Sequence, residues 1–318
     1  MTRSANSSHS IRCITTMTTE PREIAIQIIK SAMKGSSLLI GRKNLFRASR
    51  FLMRAARGDV ANDTSSNGEQ FVQRVALRIS APPATIIDVG ANVGNWTAAV
   101  LDLAHDLEVP LRVHAFEPSL GTFAQLTDRA RNWPDVSLNN QACSRFAGTA
   151  TMHIRGKGLG TNSLVESIDS EDVGGEEVEL TTVDLYCAAN AIRTIDLFKV
   201  DAEGHDFEVI VGSSQMFDEH RIRILQFEYN QRWIGARNYL RDAFAFLTPK
   251  GYEIGKLTGS HVEFYPYWQW EMENYAEGNY IACSRSDMPQ FHPREPAWLT
   301  FRADDRPGHK AASDRRGH

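Results

Sequence analysis

The sequence predicts an α/β protein built on a mostly parallel, doubly wound sheet. Two observations carry this. Between residues 71 and 287 short apolar runs alternate with stretches whose apolar residues recur at helical spacing, and the first run, TIIDVG, breaks directly into the glycine-containing turn GANVG. Strands and helices in alternation form parallel sheets, because each crossover between parallel strands is occupied by a helix. Ligands of such sheets bind beyond the carboxyl ends of the strands.

The elements follow in order. TIIDVG from Thr85 is a strand, and the helix after it places Trp96, Val100, Leu103 and Leu107 on one face. RVHAFEP from Arg112 is a second strand closed by Pro118, and TFAQLTDRARNW from Thr122 is a helix. VSLNNQACS from Val136 reads as a third strand and IDLFKVDAEG from Ile195 as a fourth, opening a helix that shares Phe207, Ile210 and Val211 before Gly212 stops it. RIRILQFEYN from Arg221 is a fifth strand. A helix through Leu240, Ala243, Phe244 and Leu247 ends near Pro249 and Gly251, and YEIGKL and NYIACS close the sheet.

Composition divides the remainder. Residues 1–20 are polar and expected to be disordered, with Met17 a second candidate start and no apolar core of a secretory signal. Residues 21–57 form a basic helical extension, 58–70 a linker, and 288–318 a largely irregular tail, polar from Ala303 onward. On a helical wheel Lys43, Arg47, Arg50, Arg54 and Arg57 fall in one stripe, with Leu45, Phe46, Leu52 and Met53 on the other side. Such a helix either packs its apolar side on the main domain or makes peripheral contact with an anionic membrane through residues 42–57. The net charge of −4 gives no nucleic-acid signal. The four cysteines, Cys13, Cys143, Cys187 and Cys283, are too scattered for a disulfide framework or a zinc module, so a reducing cytoplasm is expected. No apolar run approaches the ~20 residues that span a bilayer.

The turn after the first strand identifies the ligand chemistry. Glycines there let the backbone approach a cofactor, yet the dinucleotide pattern G-x-G-x-x-G is broken by Asn92, and Asp88 would repel a pyrophosphate. A cofactor with a cationic end suits Asp88 better. S-adenosyl-L-methionine carries a sulfonium and an ammonium, and its ribose calls for a carboxylate at the end of the second strand, where Glu117 stands.

Four motifs in order, DVGANVGNW, FEP, LFKVDAEGHDFEVIVG and QFEYN, make the segment 84–284 resemble the FkbM family of S-adenosylmethionine-dependent methyltransferases. The resemblance implies a class I (Rossmann-like) methyltransferase fold with a seven-stranded sheet whose last strand is antiparallel. It also implies methyl transfer to a hydroxyl oxygen of a sugar, glycolipid or natural product. On this pattern Asp88, Gly90, Asn92 and Gly94 form the methionine end of the pocket, Glu117 holds the ribose, Ala142 and Cys143 lie near adenine, and Asn95 lines the rim. In GTNSL, Thr161, Asn162 and Ser163 either touch cofactor or substrate or form a polar hairpin loop.

An alcohol is a poor nucleophile at neutral pH and needs its proton removed. KVDAEGHD gathers Lys199, Asp201, Glu203, His205 and Asp206 at the end of the fourth strand, with His205 a candidate general base by its ordinary pKa. The neighbouring fifth strand brings Glu228 and Asn230 toward them. Asp201, Glu228 and Asn230 offer oxygen ligands to a divalent cation such as magnesium, and Asp201, Glu203, His205 and Glu228 form the expected catalytic group. The aromatic segment FYPYWQW, from Phe264 to Trp270, either stacks on a sugar acceptor or packs under the last strands. The competing readings are a nicotinamide-dependent oxidoreductase and a methyltransferase-like binding module without turnover.

Overall fold

The computed structural model describes residues 41–60, 66–154, 162–165 and 174–301. The segment expected at 1–20, residues 21–40 of the extension expected at 21–57, Thr161, and the tail from Ala303 lie outside the described residues. The chain divides into two compact units, Met1–Ala56 and Arg57–His318. In the first, the helix Arg42–Ala56 buries none of its residues.

In the second unit the strands are β1 (Ala84–Val89), β2 (Leu111–Phe116), β3 (Val136–Asn139), β4 (Ala142–Cys143), β5 (Gly148–Ile154), β6 (Gly174–Thr181), β7 (Ile195–Val200), β8 (Ile222–Tyr229), β9 (Tyr252–Leu257), β10 (Val262–Tyr265) and β11 (Gly278–Ser284). Eight of them form one sheet in the order β10-β9-β11-β8-β7-β1-β2-β3, and β4, β6 and β5 form a second, three-stranded sheet. From β3 to β8 all pairings are parallel, whereas β11 enters antiparallel between β8 and β9. This is the class I methyltransferase arrangement. The order reverses between β1 and β7, so the crevice beyond their carboxyl ends is the topological switch point.

The central strands read as continuous apolar runs because both faces are covered. Alternation sends Ile87 and Phe198 into one core layer and Ile86 and Leu197 into the other. The Asn95–Asp106 helix packs Trp96, Val100 and Leu103 into the second layer, as its periodicity predicts.

The structure departs from expectation in three places. The main sheet has eight strands rather than seven, because β10 turns back on β9 with Val262 opposite Leu257. Beyond β10, Arg294 continues the ladder: Phe264 N–H donates to the Arg294 carbonyl and Arg294 N–H to the Val262 carbonyl. The aromatic segment serves mainly this edge, with Phe264, Tyr265 and Tyr267 buried and Trp270 exposed. Second, VSLNNQACS is not one strand. Asn140 donates its side-chain amide to the Glu117 and Pro118 carbonyls, and the chain turns there so that β3 joins one sheet and β4 the other. Third, Arg57 does not continue the cationic stripe of the preceding helix. It is buried beside Asp59 at 3.4 Å, with its guanidinium 5.3 Å from the centre of the Trp298 ring, and Lys256 pairs with the same Asp59.

Candidate active site

The β1 loop is built to bring three strand ends together. Gly90 has φ +79°, and a Cβ there would lie 1.8 Å from the Asp201 carbonyl oxygen, so only glycine permits this approach. Gly90 and Ala91 donate their N–H groups to the Phe116 carbonyl at 3.0 and 2.9 Å, and Asp201 N–H donates to the Val89 carbonyl at 3.0 Å. The ends of β1, β2 and β7 therefore surround one cavity. Gly94, at φ +80°, starts the next helix against Leu126 and Trp133.

The cavity wall combines Gly90 and Asn92 from the β1 loop, Glu117 from the end of β2, Ala142 and Cys143 from β4, and Asp201, Glu203 and His205 from the β7 loop. Asn162, Ser163 and Leu164 close another side. Ser163 is tied down there, donating its hydroxyl to the Glu203 carbonyl at 2.7 Å. The Glu117 carboxylate accepts Asn92 N–H on one oxygen and Ser119 N–H on the other, both at 3.0 Å. Burial pushes its pKa up to about 7 against those two hydrogen bonds. A carboxylate has about four lone-pair sites, so acceptor capacity remains toward the cavity.

Other predicted residues do not reach the wall. Asp88 lies beneath the loop, fully buried, accepting the Thr97 hydroxyl at 2.6 Å and facing the Lys199 ammonium at 3.5 Å. Asn95 is turned to Arg129, which donates to its side-chain oxygen. Lys199 also pairs with Asp201 at 3.2 Å. Burial would lower this ammonium, but Asp201, Asp88 and Glu69 together raise it, so it stays charged. Glu69 accepts in turn from the Gln226 amide at 2.8 Å, extending a buried polar network under β7.

The acids of β7 and β8 converge, with Asp201, Asp206 and Glu203 all acting on Glu228. Asn230 donates its amide to Glu228 at 2.5 Å and accepts Arg232 N–H on its oxygen at 2.8 Å. Among the described residues no three His, Cys, Asp or Glu side chains are grouped to hold a metal. Glu228 is buried, and burial together with Asp201, Asp206 and Glu203 raises its carboxyl well above the ordinary range. Glu203 is held by an ion pair with Arg232, while burial and Asp201 push it up to about 8.

His205 reaches the residue that follows β4. Its ring nitrogen lies 2.9 Å from the Ser144 hydroxyl, and burial lowers its pKa to about 4. A neutral, buried imidazole is a weak base. Its neighbour Asp206 shapes the loop, accepting Ala202 N–H at 2.9 Å and Gly204 N–H at 3.0 Å. Thr97, Lys199 and Asp206 thus position the site, and of these only Lys199 and Asp206 stood within a recognisable motif.

Comparison with known proteins identifies the family. The model of the methyltransferase FkbM domain matches residues 88–254, more than half of the chain. The hexuronic acid methyltransferase AglP of Haloferax volcanii is 26% identical over 149 residues, covering 46% of this chain and 56% of that protein. The chain thus spans little more than half the length of this curated relative. Among solved structures, an rRNA methylase from Streptococcus thermophilus aligns at 9% identity over 67% of this chain and 94% of its own, with a TM-score of 0.37. A SAM-dependent methyltransferase from Agrobacterium tumefaciens aligns at 7% identity over 67% of this chain and 61% of its own, with a TM-score of 0.35. With its motifs in order, its sheet reversing at β1 and β7, and the domain matched from Asp88 to Ile254, the chain belongs to the FkbM methyltransferase family.

Proposed function

We propose that this protein transfers a methyl group from S-adenosyl-L-methionine to a hydroxyl oxygen of a sugar-like acceptor, such as a sugar, glycolipid or glycosylated natural product. The observation that carries the reading is the shared cavity, with Glu117 at the β2 end and Asp201 and Glu203 at the β7 end, joined by the Gly90 turn. The residues fit the cofactor: Glu117 retains lone pairs for ribose hydroxyls, and Ala142 and Cys143 offer an apolar wall for adenine. The acceptor class is supported by the relative that methylates a hexuronic acid.

When bound, the cofactor supplies an already activated methyl group on a sulfonium. The chain's task is alignment, exclusion of water and removal of the acceptor's proton. Glu203 takes that proton when ionised, with Arg232 holding the carboxylate in place. His205 fixes the loop through Ser144 rather than acting as the base. No step is assigned to a metal.

Calorimetric titration tests the cofactor assignment. The protein is expected to bind S-adenosyl-L-methionine and not NAD, and Glu117→Ala should weaken binding by about 10- to 150-fold, the equivalent of losing roughly 1.5–3 kcal/mol of charge-assisted hydrogen bonding. Unchanged affinity would remove Glu117 from the pocket. Release of S-adenosylhomocysteine on adding uronic acid glycosides, with activity retained in chelator, distinguishes an enzyme from a binding module.

A further inference from the structure

The helix Arg42–Ala56 carries no acidic residue. At about 100° per residue, Lys43, Arg47, Arg50 and Arg54 lie within a wedge of roughly 60°. The rest of the circumference is mainly apolar, running through Phe51, Ala48, Leu52, Leu45, Met53 and Phe46, with Asn44, Ser49 and the first residue, Arg42, among them. None of it is buried: Phe46, Phe51 and Leu52 are 62%, 72% and 66% exposed. Ser49, one of the polar residues within the apolar arc, folds its hydroxyl back onto the Phe46 carbonyl at 2.9 Å. At the boundary of the two faces, the Arg50 guanidinium sits 5.9 Å from the Phe46 ring centre.

A wide exposed apolar arc beside a cationic wedge has to be matched on both faces by whatever covers it. A second copy of the helix would bring only like charge. A nucleic acid would match the wedge and leave Phe51 and Leu52 in water. An anionic lipid surface matches both, with phosphates for the arginines and an acyl boundary for the aromatic and aliphatic side chains. We infer that Arg42–Ala56 is a membrane-surface helix that docks the protein on anionic bilayers. Phe46, Phe51, Leu52 and Met53 enter below the headgroups, while Lys43, Arg47, Arg50 and Arg54 remain among the phosphates. Met53 is itself 47% exposed and free to turn into that layer.

Co-sedimentation of the full chain with vesicles of phosphatidylcholine plus phosphatidylglycerol, against phosphatidylcholine alone, tests this. Binding should be at least tenfold stronger on the anionic vesicles and fall with added salt. It should drop at least tenfold in Phe51→Ser/Leu52→Ser and again in Arg50→Glu/Arg54→Glu. Calorimetric affinity for S-adenosyl-L-methionine should be unchanged in both variants, which reports their folding independently of the lipid. Equal sedimentation of wild type and variants, or binding indifferent to lipid charge, overturns the proposal. So would light scattering that shows a dimer converted to monomer by Phe51→Ser/Leu52→Ser, since the face would then belong to a second copy.

Discussion

Glu203 and His205 stand two residues apart, line the same cavity and are pushed in opposite directions by the same cause. Burial penalises the charged form, so the carboxyl rises to about 8 and the imidazole falls to about 4. A base is most effective when its pKa lies near the working pH, which favours Glu203. We expect kcat/KM for methyl transfer to rise with pH to a plateau above about 8, the limb belonging to the free enzyme. Glu203→Gln should abolish the limb and slow turnover by about 10²- to 10⁴-fold. His205→Phe should leave the limb where it is, and a limb that moves with His205 would return the proton to the imidazole. The sequence located both residues at the right strand end. It could not order them as bases, because burial is a property of what packs over the loop, including Ser144 and Ser163 from distant segments.

Adjacent strands β1 and β7 place Asp88 directly beside Lys199 in register, and both are buried beneath the β1 loop. Removing one member of such a pair strands the other charge. Lys199→Met is therefore expected to destabilise the fold by about 3–5 kcal/mol, measured by urea unfolding. Adding Asp88→Asn should recover part of that loss, and a double variant no better than the single one would show that the two do not pair. The parallel strands themselves were legible, since Ile86, Ile87, Leu197 and Phe198 form continuous apolar runs buried on both faces. The second sheet was not. Its strands TATMHI and GGEEVELT lie half in solvent, and their partners are set by pairing between segments far apart in the chain. Likewise Gln226 and Glu69 read as ordinary polar residues until the fold brings them into one buried hydrogen bond.

Across the whole molecule the perturbed carboxyls set the response of stability to pH. Glu117, Glu203 and Asp206 have folded pKa values of about 7, 8 and 7, above the ordinary 4.5, 4.5 and 3.8. Their contribution is fully present below about pH 4 and is lost as pH rises through about 7 to 8. His205, lowered from 6.5 to about 4, contributes oppositely: its share is present above 6.5 and lost as pH falls through about 4. Above about pH 6.5 the share of His205 no longer changes, while Glu117, Glu203 and Asp206 are still losing theirs, so the unfolding temperature should decline between about pH 6.5 and pH 8, and Glu203→Gln should flatten the decline. A calorimetric profile that climbs over this interval would contradict it. At the opposite margin of the molecule, Arg294 lies along β10 and occupies the backbone groups of Val262 and Phe264. An unoccupied strand margin is a template on which other chains assemble, so this single residue acts as a guard against self-association. Arg294→Pro, which removes the N–H donated to Val262, is expected to leave the cofactor site intact while making concentrated solutions scatter light. Unchanged scattering would mean that β10 is too short to recruit another chain.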